Sequence, residues 1–383
     1  MKQALVKAKV KSGIILFCLF LLLWLVSCWQ EQHHQIIPAE LPNYPVRGRV
    51  LSSADGTPVR GAVVMLGDEI DTTDATGTYF FDHVLGGKDY TIEVTKDYFE
   101  PYSGSVEMDY DTLRVDDILL GKIFYHLDMY NPGAWGSLSP QGLVWRGANL
   151  WSADSAKGRI IAHNYDSYMS VAEKYNLPRY PIPHHGEFYI APLGLEWCQN
   201  NLLTYDDQKD KFYELTLTAG DTVLIKASYK LPAEIASAGD LWDLTWDGYQ
   251  LWSCSPGAYG FSYYLWDDNA EDDVIYQHNQ DLSVTATFPT TEIDDGIVNP
   301  TGIAWDGEKF WLNSRGTRRL YMLDENLHVL GYYVFDEPIQ PWAPYQLCWG
   351  NGYLWGCFRS SQPAIFGGGT PTQYIYKFGK LFP

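Results

Sequence analysis

Five copies of a short motif recur in the C-terminal part of the chain, and this repeat restricts the fold more than any other feature. Each copy ends in Trp, with Leu or Ile two residues earlier and Gly or a polar residue before that. The copies span residues 142–145, 194–197, 243–246, 302–305 and 346–349. Six residues after these Trp residues stand Trp151, Leu203, Trp252, Trp311 and Trp355. Such self-similarity indicates copies of one supersecondary unit that bury their apolar faces against each other.

Each repeat contains four predicted strands. Asp-Gly pairs at 247–248 and 306–307 lie between the two Trp positions and favour β-hairpins, because Gly tolerates positive φ. A third strand is predicted at 160–161, 212–213, 275–276, 320–321 and 375–376, and the first four repeats also offer a fourth strand. Four short strands per repeat predict a β-propeller.

The last repeat stops after three strands, at Pro383. The segment 123–128, which precedes the first repeat, supplies the missing strand and leaves no open sheet edge between the first and last blades. We therefore predict a five-bladed β-propeller over residues 121–383, in which the N-terminal strand closes the last blade. Six blades remain an alternative if residues 255–300 contain a degenerate blade.

The repeated Trp residues have two interpretations. Exposed indoles offer stacking surfaces for sugar rings, whereas buried indoles form the core between blades. One Trp per strand at a fixed repeat spacing favours the core, and Leu203 replaces Trp at one position. We predict that these Trp residues pack blade against blade.

The first 28 residues have the pattern of an export signal. Four Lys residues precede an apolar run of 13 residues at 14–26, and no acidic residue occurs before Cys28. A spanning helix needs about 20 apolar residues, so a permanent transmembrane helix is disfavoured. Residues 25–28, LVSC, resemble a bacterial lipobox. The resemblance implies cleavage after residue 27 and a diacylglyceryl lipid on Cys28, and an ordinary secretory signal is the alternative.

Cleavage there makes the chain more acidic. Residues 1–27 carry four of the 27 basic residues and none of the 47 acidic ones, so the formal net charge changes from −20 to −24. This charge repels nucleic-acid phosphates and anionic lipid headgroups. Nucleic acid is excluded as a partner, and membrane attachment is assigned to the lipid. Trp29 rather than Asp follows Cys28, which favours the outer membrane and leaves open which side the protein faces.

Four Cys residues remain after lipidation, namely Cys198, Cys254, Cys348 and Cys357. They form no CxxC pair, so a structural zinc site is not predicted. Export permits disulfides, but we expect mostly buried free thiols, and the sequence leaves their disulfide state open.

A tether and a small domain precede the propeller. Residues 28–44 are polar, contain two Pro residues and show no sustained period, which predicts a tether. Short alternating strands separated by tight turns then follow over residues 45–120. This spacing, without helical periodicity, predicts a small β-sandwich and makes the whole chain all-β.

The same region resembles a known family. The sequence DGTPVRGAVVML, followed by TTDATGTYFF and YTIEV, is similar to the carboxypeptidase regulatory-like domain. The resemblance covers residues 45–120 and implies a non-catalytic accessory module with an Ig-like or transthyretin-like β-sandwich. Some members of this family have a carbohydrate-binding-like fold. Its motif residues, including Gly48, Gly56, Pro58 and Gly77, are turn and core positions.

The propeller's connections indicate its working face. Turns between strands 1 and 2 and between strands 3 and 4 are short and share one face, whereas most of the loop length lies on the other, at 179–192, 255–273, 290–300, 337–345 and 360–372. Long loops on a rigid scaffold usually carry binding residues. The candidate binding residues on this long-loop face are Tyr259, Tyr263, Trp266, Trp342, His184, His185, Glu187, Arg315 and Arg359.

Charged residues on the same face have alternative interpretations. Asp267, Asp268, Asp272 and Asp273 offer carboxylates to Ca²⁺, but their spacing matches no calcium loop and a solvated acidic loop is favoured. The pair His184 and His185 with Glu187 lacks a third ligand at a recognisable spacing, so no metal site is predicted. Arg315 and Arg359, like Asp154 and Asp206, either face the central channel or form structural ion pairs.

The repeated G-[LI]-x-W pattern with five blades is loosely similar to glutamine cyclotransferase-type propellers, although that family's active-site residues have no match. Propellers host many functions, and no nucleophile-elbow, zincin or phosphate-loop motif is present. The favoured hypothesis is a lipid-anchored, non-enzymatic protein of the cell envelope that binds a glycan or an envelope protein. The alternative is a propeller enzyme, either a cyclotransferase or a polysaccharide hydrolase or lyase.

Overall fold

The computed structural model describes an all-β chain. The residues that it describes are 42–108, 113–131, 140–155, 157–166, 169–182, 186–190, 192–198, 200–206, 209–233, 235, 241–257, 272–335, 346–359 and 373–379. Thirty strands occur in this part of the chain, with one short helix, α1 (Thr290–Ile293). Within it, no helix combines the length and hydrophobicity needed to cross a membrane.

The N-terminal region forms two sheets around one apolar core. Its strands are β1 (Asn43–Ser52), β2 (Val63–Leu66), β3 (Glu69–Thr72), β4 (Thr78–Leu85), β5 (Asp89–Thr95), β6 (Tyr102–Glu107), β7 (Leu113–Arg114) and β8 (Ile118–Leu120). One sheet contains β4, β1, β7 and β8, and the other has the order β3-β2-β5-β6. Alternate residues of both sheets, such as Val46, Val64 and Ile92, are buried between them, as period-2 patterning requires.

The strands that follow pair into sheets of eight, four and eight strands in the described residues, with one separate two-stranded hairpin. Each eight-stranded sheet consists of two antiparallel four-stranded units joined by a short parallel pairing, and we call the four-stranded units blades 1 to 5. Blade 1 contains β10 (Pro140–Arg146), β11 (Asn149–Asp154), β12 (Arg159–Asn164) and β13 (Val171–Asn176). Blade 2 contains β16 (Pro192–Cys198), β17 (Asn201–Asp206), β18 (Lys211–Thr218) and β19 (Thr222–Lys230). Blade 3 contains β20 (Asp243–Trp246), β21 (Leu251–Ser255), β22 (Val274–His278) and β23 (Val284–Pro289).

Blade 4 contains β24 (Pro300–Trp305), β25 (Phe310–Ser314), β26 (Arg319–Leu323) and β27 (Val329–Phe335). Blade 5 combines β28 (Gln346–Gly350), β29 (Tyr353–Arg359) and β30 (Gln373–Gly379) with β9 (Lys122–Tyr130), which pairs antiparallel with β30. The same β9 also pairs parallel with β27 of blade 4. Blade 5 therefore joins the two ends of the repeat region.

The first strands of the blades surround a common axis. Each of them contacts the first strands of the two neighbouring blades, and β28 contacts β10. The arrangement of the sheets is that of a β-propeller. A Cβ on Gly142 would lie 2.9 Å from the carbonyl carbon of Gly194, and one on Gly302 would lie 2.8 Å from Leu347 Cγ. The motif glycines are needed because neighbouring inner strands approach so closely.

Aromatic contacts join the blades. The indoles of Trp151 and Trp197 meet edge to face with ring centroids 5.7 Å apart, and Trp311 stacks on Trp349 at 5.9 Å. Trp355 of blade 5 stacks on Trp145 of blade 1 at 5.7 Å. The second-strand Trp residues are at most 9% exposed, which confirms that they form the core between blades.

The N-terminal sheets and the propeller share a direct contact. Ser53, which follows β1, forms two hydrogen bonds with the backbone of Tyr332 in β27. Ala54 is buried in the same apolar cluster as Phe124 and Trp311 of the propeller. The two regions therefore pack against each other through strand β27, a contact that the sequence pattern did not predict.

The two faces of the propeller differ in the length of their connections. On the short-turn face, the turns lie at 147–148, 199–200, 247–250, 306–309 and 351–352 between strands 1 and 2, and at 165–170, 219–221, 279–283 and 324–328 between strands 3 and 4. On the long-loop face, β21 and β22 are separated by residues 256–273 and β29 and β30 by residues 360–372. The segment 179–192 was predicted as a loop, but it contains a hairpin of β14 (Arg179–Ile182) and β15 (Gly186–Tyr189).

Candidate functional site

Most of the predicted binding residues of the long-loop face lie outside the described residues. This applies to Tyr259, Tyr263, Trp266, Trp342, His184 and His185, to Asp267 and Asp268 of the proposed calcium loop, and to Cys28. The predictions for these residues stay predictions.

Three predicted site residues have a described backbone. Glu187 lies in β15 and pairs with Pro181 in the hairpin between blades 1 and 2. Arg315 follows β25 in blade 4, is half-buried, and donates its backbone N–H to the carbonyl of Asn299 at 3.0 Å. Arg359 ends β29 in blade 5 and pairs with Gln373. They share the long-loop face but belong to different blades.

The acidic residues of this face have structural partners where they are described. Asp273 is fully buried, and its Oδ2 accepts the N–H of Asn299 at 2.6 Å. Asp154 and Asp206 are fully buried at the ends of β11 and β17, and Asp206 forms an ion pair with Lys209 at 3.7 Å. No group of three or more metal-ligating side chains occurs among the described residues.

The axis itself contains a polar group that the sequence analysis did not single out. Asp243 occupies the position where blades 1, 2 and 4 have Gly, and it is fully buried. Its Oδ2 accepts the N–H of Ile303 at 3.0 Å and the N–H of Leu347 at 2.8 Å. One carboxyl group of blade 3 thus bonds the inner strands of blades 4 and 5.

Gln346 occupies the same motif position in blade 5. Its Oε1 accepts the N–H of Gly142 in blade 1, and its Nε2 donates to the carbonyl of Trp242 at 3.1 Å. Asp243 and Gln346 together bond the inner strands of four blades. Because both side chains are buried and the motif glycines leave no free space, the axis is closed at this level among the described residues.

Burial is the largest influence on the pKa of Asp243. Desolvation raises the pKa of its carboxyl group well above the ordinary value, although three backbone N–H groups favour the charged form. Its Oδ1 is buried and has no hydrogen-bond partner in the described part of the chain. Burial therefore disfavours the charged form of Asp243, and its carboxyl group cross-links the inner strands of blades 4 and 5.

Glu196 is the second carboxyl group at the axis. It stands two residues after Gly194, where the other blades have Val144, Thr245, Ala304 and Cys348. Its Oε1 accepts the N–H of Trp197 at 2.7 Å, and the backbone N–H of Trp246 and the hydroxyl of Thr245 also bond its carboxyl group. Burial raises its pKa to about 8. Unlike Asp243, Glu196 is only half-buried.

Two Ser–His pairs occupy equivalent positions in blades 1 and 3. Ser152 Oγ lies 2.8 Å from His163 Nε2, and Ser253 Oγ lies 2.8 Å from His278 Nε2. A Ser–His contact is the geometry of an activated nucleophile. All four residues are fully buried, and burial lowers the pKa of both histidines to about 4. The pairs are therefore enclosed core contacts.

The four remaining cysteines are free thiols, as expected. Cys254, Cys348 and Cys357 are buried, and burial raises the pKa of each thiol well above its ordinary value. Cys198 is half-buried. Because a thiolate is the reactive form, these residues are poor nucleophiles.

The axial residues could have been found from the repeat alone. Asp243 and Gln346 replace Gly, and Glu196 replaces an apolar or small residue, at positions that the alignment of the five motifs already defines. A polar residue that interrupts an otherwise uniform core position is the signal.

No protein-family model matches the chain, and no curated protein matches it with significant similarity. Solved structures align with low similarity. The glutaminyl cyclase of Myxococcus xanthus is 10% identical, with 67% of this chain and 96% of that chain covered and a TM-score of 0.43. Virginiamycin B lyase from Staphylococcus aureus is 13% identical, with 90% and 97% covered and a TM-score of 0.34. Regucalcin, a calcium-binding protein of Agrobacterium tumefaciens, is 12% identical, with 67% and 97% covered and a TM-score of 0.38. At these values the similarities carry no argument about function.

Proposed function

We propose that this chain is a lipid-anchored protein of the cell envelope that binds a glycan or an envelope protein through the long-loop face of a five-bladed propeller. One observation carries the proposal. The turns of the short-turn face span two to six residues, whereas connections of the other face extend over residues 256–273 and 360–372. A rigid ring that presents long segments on one face has the usual layout of a binding scaffold.

The closed axis supports binding over catalysis. A glycosidase needs two carboxyl groups that both reach the substrate. Asp243 is fully buried and its Oδ2 is occupied by two backbone N–H groups, so among the described residues Glu196 has no accessible partner carboxyl at the axis. The enzyme alternative rests on Glu196, whose raised pKa is typical of a general acid.

The remaining parts of the proposal follow the sequence. We assign the lipid to Cys28, a tether to residues 28–44, and a transthyretin-like accessory domain of the carboxypeptidase regulatory-like type to residues 45–120. The propeller is assigned to residues 121–383, with β9 as the strand that closes the fifth blade. The outer membrane is the proposed location.

Binding is tested with the full-length protein purified in detergent. We expect specific retention of one glycan class on a glycan array, or of one envelope protein in a pull-down. Replacement of residues 258–271 by a short Gly-Ser linker should abolish retention, while the same protein with Tyr165→Ala on the opposite face retains it. Turnover of a polysaccharide or glutaminyl-peptide panel without any retained partner would contradict the binding function and favour the enzyme.

The anchor has its own test. Cys28→Ala should abolish incorporation of a labelled fatty acid and shift the protein to the soluble fraction, whereas Cys18→Ala should leave labelling intact. A labelled Cys28→Ala protein would contradict the lipobox assignment. Calcium is tested separately by thermal unfolding with Ca²⁺ or chelator, for which the proposed solvated acidic loop predicts no change.

A further inference from the structure

The short-turn face has a feature that its turns do not explain. The inner-strand Trp residues all stand at the last or the second-last position of the first strands, close to the short turns, and all are half-buried. We call these residues the axial Trp ring: Trp145, Trp197, Trp246, Trp305 and Trp349. Because the inner strands contact each other around the axis, the ring surrounds the axis at this face.

Glu196 lies just inside the axial Trp ring. It directly precedes Trp197, and its carboxyl group is bonded by the backbone of Trp246. Thr245, the hydroxyl partner of Glu196, stands two residues after Asp243 in β20. Asp243 therefore lies about 7 Å deeper along the axis than Thr245. The axis is closed at the level of Asp243 and Gln346. Because Glu196 is half-buried and stands nearer the short-turn end of its strand than this level, we infer that solvent reaches it from the side of the axial Trp ring.

Two exposed aromatic side chains flank the ring, namely Tyr165, which contacts Trp145, and Tyr249. Tyr249 is 83% exposed, in the turn that follows Trp246. The corresponding residues of the other turns, Ala148, Asn200, Glu308 and Gly352, are not aromatic. Asp247 Oδ1 accepts the N–H groups of Tyr249 and Gln250, each at 2.7 Å, and so fixes this turn. Glu196 and Tyr249 thus both differ in type from the corresponding residues of the other repeats. Both lie close to Trp246, where blade 2 meets blade 3.

We propose that this boundary is a second ligand site, in which Glu196, Trp246 and Tyr249 bind the terminal unit of a neutral carbohydrate. An aromatic wall accepts the apolar face of a sugar ring, and a carboxyl group bonds its hydroxyls. The site is on the opposite face from the long loops, so it does not depend on the partner proposed for them.

The charge of the site favours a neutral ligand. Burial raises the pKa of Glu196 to about 8, which favours the protonated carboxyl group near neutral pH, and a protonated carboxyl group can donate a hydrogen bond to a sugar hydroxyl. The overall charge of −20 repels anionic sugars. Arg146, whose guanidinium lies 3.6 Å from the ring centre of Trp197, already covers a face of that indole. We assign stacking to the exposed Tyr249 and to the half-buried Trp246, which also packs against the apolar core between blades 2 and 3.

The test is saturation-transfer NMR on the full-length protein in detergent, with the methyl glycosides of glucose, mannose and N-acetylglucosamine as probes. We expect binding of at least one glycoside at millimolar concentration, with transfer to the protons of the apolar ring face. Glu196→Val copies Val144 of blade 1 and should weaken binding about tenfold or more. Tyr249→Ala should weaken it severalfold.

Matched controls make the result decisive. Tyr165→Ala changes an exposed Tyr on the same face but at the boundary of blades 1 and 5, and it should leave affinity within twofold. The loop replacement at 258–271 should also leave it unchanged, even though it abolishes binding of the long-loop partner. No transfer with any glycoside, or equal affinity in the correctly folded Glu196→Val protein, overturns the proposal. Transfer to tetramethylammonium instead of a glycoside overturns the carbohydrate assignment.

Discussion

The hydroxyl of Ser53 donates to the carbonyl of Tyr332 at 2.7 Å, while the Ser53 carbonyl accepts the Tyr332 N–H at 3.0 Å. This reciprocal pair connects the N-terminal sheets to β27, an outer strand of the propeller. The approach depends on Gly331, which has a φ of +155° and whose added Cβ would lie 2.2 Å from the Ser53 carbonyl oxygen. The two regions are therefore expected to unfold together.

Gly331→Ala should break this contact between the N-terminal sheets and β27. The added methyl group collides with backbone rather than with a flexible side chain, so we expect a loss of about 2–4 kcal/mol in stability and two transitions in calorimetry in place of one. Gly307→Ala is the matched control, because Gly307 also has positive φ but no atom lies within 4 Å of its added Cβ. Equal effects of the two substitutions would show that backbone strain alone, without the close approach, determines the loss.

Replacing Asp243 by Asn should change the stability of the protein little, whereas replacing it by Ala should lower the stability. Asp243→Asn retains an oxygen acceptor for the N–H groups of Ile303 and Leu347, and burial already disfavours the charged form of Asp243, as its raised pKa indicates. Asp243→Ala leaves both N–H groups buried and unpaired, at a cost of about 2–5 kcal/mol. Urea denaturation measures both variants. An alanine variant as stable as the asparagine variant would show that the axial hydrogen bonds contribute nothing.

The turn aspartates should stabilise the Trp core. Asp306 Oδ2 accepts the indole N–H of Trp311 at 2.8 Å, and its Oδ1 accepts the N–H groups of Glu308 and Lys309. Asp306→Ala is expected to cost about 1–3 kcal/mol. Asp324→Ala is the control, because Asp324 also bonds turn N–H groups but no indole. The smaller loss in the control, measured by thermal unfolding, isolates the indole bond.

Stability should fall in mild acid because of the two buried histidines. The pKa of His163 and His278 is about 4 in the folded chain, against 6.5 for an ordinary histidine. Between these values the unfolded state binds protons that the native state excludes, so stability is present above pH 6.5 and is lost as pH falls toward 4. Each histidine is expected to lower the free energy of unfolding by on the order of 2 kcal/mol between pH 6.5 and pH 5.

A double variant tests the source of this pH dependence. Ser253→Leu with His278→Leu copies Leu312 and Leu323, which occupy the same positions in blade 4. Denaturation midpoints at pH 7.5 and pH 5 should then differ by about half as much as in the unsubstituted protein. An unchanged difference would assign the acid sensitivity to other groups.

The local pattern of this chain determines a large part of its fold. The period of the Trp motif defines the repeats, because each blade needs the same apolar residues at the same strand positions to pack on its neighbours. Leu203 and Trp355 are buried as this argument requires. The segment around Phe124 is recognisable as a spare strand because the last repeat lacks one, and β9 does pair with β30.

Only the tertiary structure decided the polar contacts of the axis. Asp243 reaches Leu347, which is 104 residues away, and Glu196 is bonded by residues of the next blade. Such contacts depend on how closely five inner strands approach one axis, and this distance is set by packing between blades rather than by any local pattern. The same holds for Ser53 and Tyr332, 279 residues apart. Repeat spacing therefore determined the blades, while close approach of distant backbone determined that Asp243 is fully buried and Glu196 half-buried at the axis.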